Sequence, residues 1–249
     1  MGKLAVTDGL VRQLVGEMAP LVAHLTGWNL QLGDLRVRVL PRHRGYEEIV
    51  LGRMQAAGIR VDPDAPRNPI ERLTEYMLEG NIAGAYNHGT REILVVRENV
   101  DDSNLDGLRL TLAHELVHRG QHVHHTHLFD RMDEVMRAAY GCGIEGRGTV
   151  TEAIRRLHEV DEVMTVMESH AGYVEREIKR LYLPRAVQES HFNLAALLFR
   201  VLGARKVAQY TDGIPAVARA TRAGHIDALT LRASQALAQA ALLFIAVAL

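Results

Sequence analysis

One cysteine, Cys142, stands among 249 residues. That excludes a disulfide framework and any cysteine-based zinc cluster. Charge of either sign is not in excess: 29 basic against 30 acidic side chains give −1, so no overall field draws the chain to nucleic acid or anionic lipid. Aromatic residues make up only 5%. The one basic cluster, Arg36, Arg38, Arg42, His43 and Arg44, has no interleaved rings on which bases could stack. It reads as the wet side of a strand and turn, and no nucleic-acid partner is expected. Met1–Pro20 lacks a continuous apolar run, since Asp8, Arg12 and Glu17 interrupt it. No signal peptide is read there, and the expected location is cytoplasmic. The tail Ala236–Leu249 is apolar except for Gln239. As a helix it would reach about 21 Å, short of a bilayer's roughly 30 Å. It predicts a buried terminal helix, or one docked on a second copy in a homo-oligomer, and no transmembrane span.

Hydrophobic residues at 47% and charged residues at 24% are ordinary globular values. The length allows one large domain or two small ones, with a core that needs no staple. Apolar spacing over Leu4–Leu25 predicts a helix, kinked or restarted near Pro20. Leu35–Leu40 alternates at period two and predicts a strand, Tyr46–Ala57 a helix, Asp62–Pro69 a loop and Ile70–Glu79 another helix. Ile82–Asn87 and Glu92–Arg97, separated by His88-Gly-Thr90, carry a β-hairpin signal. Helices are then predicted over 107–122, 151–181, 186–202, 204–210, 214–223 and 226–248. The expected class is α+β: residues 1–105 form an α/β subdomain with a small sheet, residues 106–249 a mostly helical one, and the two share one core.

Histidine is the outlier. Six of the 13 His fall between His114 and His127, where even scatter would place about one. Within them, His114-Glu-Leu-Val-His118 is an H-E-x-x-H string. Residues i and i+4 lie one above the other on a helix, so both imidazoles can converge on one tetrahedral ion. Glu115 then stands beside the metal, placed to accept a proton from water. Leu108, Leu110, Leu112, Ala113, Leu116 and Val117 take the other face of that helix.

A zinc site needs a third protein ligand. His122 lies about 12 Å along the axis from His114, too far for one ion on a straight helix. His124 sits where a metzincin places its third His, but the turn-forming glycine required at 121 is Gln121. Glu168 lies on an apolar stripe through Leu157, Met164, Ala171 and Ile178, where a carboxylate is expensive unless it is paired or ligating. His114, His118 and Glu168 are therefore the expected Zn2+ ligands, and Glu115 the catalytic base. His170 follows Glu168 by two and so turns some 200° away on a helix. It is read as a second catalytic candidate reaching the site from a bent helix, or else as a core histidine. Tyr173 and Tyr210 are weaker proposals. His122–His127 could hold a second metal, but with no carboxylate or Cys to complete it the string is read as a loop cluster that is solvated or binds zinc adventitiously.

The H-E-x-x-H with Gln121, the stretch Val163–Val174 containing Glu168-Ser-His-Ala171, and the pieces Leu202–Gly213 and Ala223–Leu229 together resemble the zincin-like metallopeptidase type 2 family. These proteins are common in actinobacteria and sometimes labelled as associated with deazaflavin coenzyme biosynthesis. The resemblance runs from about His114 to Leu229. It implies a zincin-like fold, zinc held by His114, His118 and Glu168, Glu115 as base, and a peptide or protein substrate. It also implies that the strand before the motif helix, Glu92–Arg97, is the edge strand on the substrate side. One position departs: where related sites carry an Asp four residues after the ligand Glu, this chain has Gly172. Either Glu175 or a backbone carbonyl takes that place, or binding is weaker. The rival reading is a catalytically inactive zincin-fold scaffold or binding protein, to which Gly172 and the apolar tail lend weight.

Overall fold

A computed structural model describes residues 5–60, 82–101, 103–143 and 147–186. The expected loop at Asp62–Pro69, the helix at Ile70–Glu79, the helices beyond residue 186, Tyr210 and the apolar tail lie outside them.

The first helix, α1 (Asp8–Thr26), begins where the Thr7 hydroxyl accepts from Leu10 N and ends at Gly27, whose φ of 72° suits glycine. It runs unbroken through Pro20. The helix is not restarted there, and Met18, Ala19 and Val22 are buried on either side of Pro20. Strand β1 (Arg36–Leu40) follows, then α2 (Arg42–Gly45), a π-helical turn over Tyr46–Leu51 and α3 (Gly52–Ala56). The hairpin is formed by β2 (Gly84–Asn87) and β3 (Glu92–Val96).

Among the described residues three strands form one sheet in the order β1-β3-β2. β1 runs parallel to β3 in the register Arg36↔Glu92 to Leu40↔Val96, and β2 runs antiparallel with Ala85↔Leu94. This corrects one expectation: β3 is the central strand, and the edge beside the motif helix is β2. The reason is legible in the residues. Ile93, Leu94, Val95 and Val96 are all fully buried, a continuous apolar run that only a strand covered on both faces tolerates.

Three long helices complete the described chain: α4 (Leu105–His124), α5 (Thr126–Gly143) and α6 (Val150–Tyr182). Asn104 caps α4, and a reciprocal pair between Thr149 and Glu152 caps α6. The sequence reading assigns no helix between 123 and 150. The structure has α5 there, because Leu128, Phe129, Met132, Val135 and Ala139 recur at helical spacing and are buried. Helix α4 is buried on nearly all sides, with Glu115, His118, Arg119 and Gln121 inside as well as the leucines. One core joins α1, the sheet, α4 and α6, and a smaller cluster joins α5 to α6 through Leu128, Phe129, Met132, Val163 and Met167. The molecule is thus α+β. Among the described residues no helix is long and apolar enough to cross a membrane.

The basic cluster is tied down. Arg36 donates to Thr90 O, Arg38 pairs with Glu48 and Glu92, Arg42 holds Glu98 and Asn99, and Arg44 pairs with Glu47 and Glu48.

Candidate metal centre

Helix α4 presents His114 and His118 one turn apart, with ring centroids separated by 4.9 Å. From α6, Glu168 meets both: Oε2 is 3.2 Å from His114 Nε2, and Oε1 is 3.5 Å from His118 Nε2. Ligand atoms about 2.1 Å from one ion at tetrahedral angles lie about 3.4 Å apart. The two measured separations match that spacing. One ligand atom from each of the three residues lies within 4.8 Å of the others, and this is the group of three metal-ligating side chains found among the described residues.

The outward ring nitrogens are also engaged. His114 Nδ1 is 3.1 Å from Glu175 Oε2, and His118 Nδ1 is 2.8 Å from Gln121 Oε1. The Gln121 amide in turn donates to Met167 O at 3.0 Å. Both imidazoles therefore point Nε2 inward and give Nδ1 to an outer partner, the arrangement that fixes ring orientation and tautomer for a metal. These residues fit a divalent ion. Of the alternatives for the vacant Gly172 position, the structure uses Glu175. Burial lowers the His114 pKa, but the Glu168 and Glu175 carboxylates overcome it and hold this imidazole well above its ordinary value.

Glu115 is buried, and its Oε2 accepts from Tyr86 N at 2.7 Å. The motif carboxylate is thus fastened to the edge strand β2. Close approach of β2 to α4 demands glycine at 84, where a Cβ would lie 2.8 Å from Thr111 Cγ2 and 3.6 Å from Glu115 Cγ.

The remaining histidines disperse. His122 Nδ1 lies 2.8 Å from Tyr86 OH, and burial, with His88 and Arg119 nearby, pushes its pKa down to about 4. His124 reaches Asn29 O at 3.0 Å and stacks on Trp28. Neither joins His114, and the His122–His127 string spans a helix end rather than an open loop. His170 lies behind Gln121, with Nδ1 3.4 Å from its amide, and meets Trp28 edge-on at 5.0 Å. Its Nε2 is buried with no hydrogen-bond partner among the described residues, and burial, helped by His118 and His125, pushes its pKa down to about 3. Tyr173 is half-buried against the core.

Three features escaped the sequence reading. Arg119 is buried and ties α4 to the segment between α1 and β1 through Leu30 O, Gln31 O and Asp34, and to β2 through Tyr86 OH. His88 Nε2 meets Asp133 Oδ2 at 2.8 Å. Gln121 carries the imidazole of His118, whereas Glu175, one of the alternatives the sequence offers for the Gly172 position, carries that of His114. Only Gln121, three residues after His118, had a local signal. A cavity of about 590 Å³ opens elsewhere, between Gly58–Arg60 and residues of α5 and α6, and no metal-centre residue lines it. No family model, curated protein or solved structure matches the chain.

Proposed function

We propose that this chain is a zinc-dependent hydrolase with a zincin-like fold, acting on peptide bonds. The observation that carries the reading is the pair of inward Nε2 atoms at 3.2 and 3.5 Å from the two Glu168 oxygens, with each Nδ1 held by an outer partner. Two histidines and one carboxylate leave a fourth position open, the donor set of a catalytic rather than a structural zinc site.

When bound, the ion supplies Lewis acidity at the substrate carbonyl and acidifies the attacking water. Glu115 accepts the water's proton and returns it to the leaving amine nitrogen. Tyr86 N–H occupies Oε2, so Oε1 is the atom that takes the proton. The edge strand β2 offers its main chain to an extended peptide beside Glu115. His170 acts through Gln121 and His118 rather than on the substrate in this reading, since Gln121 stands between it and the ligand ring.

The test uses untagged, chelator-washed protein reloaded with Zn2+. Anomalous scattering at the zinc edge is expected at His114, His118 and Glu168. A peptide library should be cleaved by the wild type, and Glu115→Gln should keep the ion while losing roughly 10²–10⁴-fold in rate. Equal silence from both proteins with zinc in place would favour a binding scaffold. Absence of zinc from these three residues would sink the hydrolase reading.

A further inference from the structure

Arg53 is the side chain that the metal centre leaves unexplained. It projects from α3, and its Nη2 lies 3.0 Å from Met132 Sδ on α5 and 3.2 Å from Met164 Sδ on α6. Those two sulfurs are its described side-chain partners. A thioether is a weak acceptor, and a guanidinium carries five donors, so most of the hydrogen-bonding capacity of this cation is unspent. Met164 precedes Glu168 by one helical turn, a spacing that puts their Cβ atoms about 6 Å apart.

Three carboxylates, Glu168, Asp133 and Glu115, act on Arg53 through space, and burial still outweighs them and lowers its pKa. Among the described residues none of them hydrogen-bonds to or ion-pairs with Arg53. Glu168 turns to His114 and His118, Asp133 gives Oδ2 to His88 while its Oδ1 is buried without a hydrogen-bond partner there, and Glu115 gives Oε2 to Tyr86 N. The Arg53 guanidinium therefore lies on an apolar floor beside the centre without an oxygen acceptor among the described residues. A planar, partly dehydrated fork of this kind matches a carboxylate bidentately.

We propose that Arg53, seated on Met132 and Met164 one helical turn from Glu168, forms a carboxylate-binding subsite of the metal centre, so that the preferred substrates are short peptides with a free carboxylate near the scissile bond. The proposal rests on the hydrolase reading above, and deepens it by naming the substrate class. A C-terminal carboxylate and an Asp or Glu side chain present the same chemistry, and the substrate design separates them.

Zinc-loaded, full-length wild type is given a pooled library of N-acetyl tripeptides in two forms, free acid and C-terminal amide. A C-terminal carboxylate source predicts that free acids are cleaved roughly 10- to 100-fold faster than their amides. A side-chain source predicts that amides containing Asp or Glu are cleaved equally well and other amides are not. In either case Arg53→Met should abolish the rate advantage of carboxylate-bearing over uncharged substrates, measured as a ratio within the same variant, and keep the zinc. Arg53→Lys should recover part of the preference. Cleavage without regard to carboxylates in the wild type would overturn the subsite and leave the hydrolase standing.

A second measurement needs neither turnover nor a variant. Calorimetry on the zinc-loaded wild type compares succinate with succinamate, which lacks one of its two carboxylates. Succinate should bind about tenfold tighter. Equal affinity, or no binding of either, overturns the subsite even if no peptide is cleaved.

Discussion

Glu175 Oε2 lies 3.1 Å from His114 Nδ1, while Glu168 Oε2 lies 3.2 Å from Nε2 of the same ring. One imidazole is clasped between two carboxylates from a single helix, seven residues and two turns apart. A bound ion would lie on the Glu168 side, where Glu175 would orient the ring and make its inward nitrogen more basic.

Glu175→Ala should therefore weaken zinc binding about 10- to 100-fold while the helical circular dichroism stays as in the wild type. Competition against a chromogenic chelator measures this. An unchanged affinity would show that His114 needs no orienting carboxylate.

The same clasp sets the pH dependence of metal uptake. His114 is held protonated well above its ordinary value in the metal-free protein, and a ligand imidazole must be neutral. Zinc binding near pH 7 should then expel about one proton from this ring, and apparent affinity should rise with pH until the raised His114 pKa is passed. Titration calorimetry in buffers of different ionisation enthalpy reads the proton directly. Heats independent of the buffer would contradict the protonated clasp.

His170 makes an acid-sensitive core. Its pKa is about 3 in the folded chain and about 6.5 when unfolded. Above pH 6.5 both states are neutral there, and this group contributes no pH dependence. Below it the unfolded chain takes up a proton that the folded one refuses, so stability falls by about 1.4 kcal/mol per pH unit until the folded pKa is reached. Thermal melts between pH 7 and 4.5 should show a shallower decline for His170→Leu than for the wild type. Parallel curves would rule out His170 as a source of acid sensitivity.

Two glycines in helices should respond in opposite ways to alanine. A Cβ at Gly120 would lie 2.5 Å from Trp28 Cε3 and 3.0 Å from Leu30 Cδ2, an overpacking that costs about 1–3 kcal/mol. Gly16 on α1 has nothing within 4 Å of such a Cβ, so Gly16→Ala should stabilise by about 0.5–1 kcal/mol through backbone entropy. Denaturant midpoints of the two variants against the wild type check both signs.

Much of the centre could be read from spacing, because its first two ligands are local. His114 and His118 are four apart, and helical periodicity alone puts them on one face. Glu168 was legible for a different reason: a carboxylate in an apolar stripe needs a partner, and the partner proved to be the histidine pair. The edge assignment for Glu92–Arg97 followed the family resemblance instead of the residues, whose run Ile93-Leu-Val-Val96 already marked a strand covered on both faces. Helix α5 has a plain apolar period from Leu128 to Ala139, but the histidine string at its start has the composition of a solvated loop.

The sequence by itself determined which side chains can bind a metal and which helices carry them, since capping, apolar period and the i, i+4 rule act within a few residues. Only the tertiary structure decided the rest. The partners Glu175 and Tyr86 N arise where α6 and the edge of β2 meet α4, and the thioether seat of Arg53 where α3 meets α5 and α6. Residues far apart in the chain meet there through packing, and packing is set by the whole core and not by any local pattern.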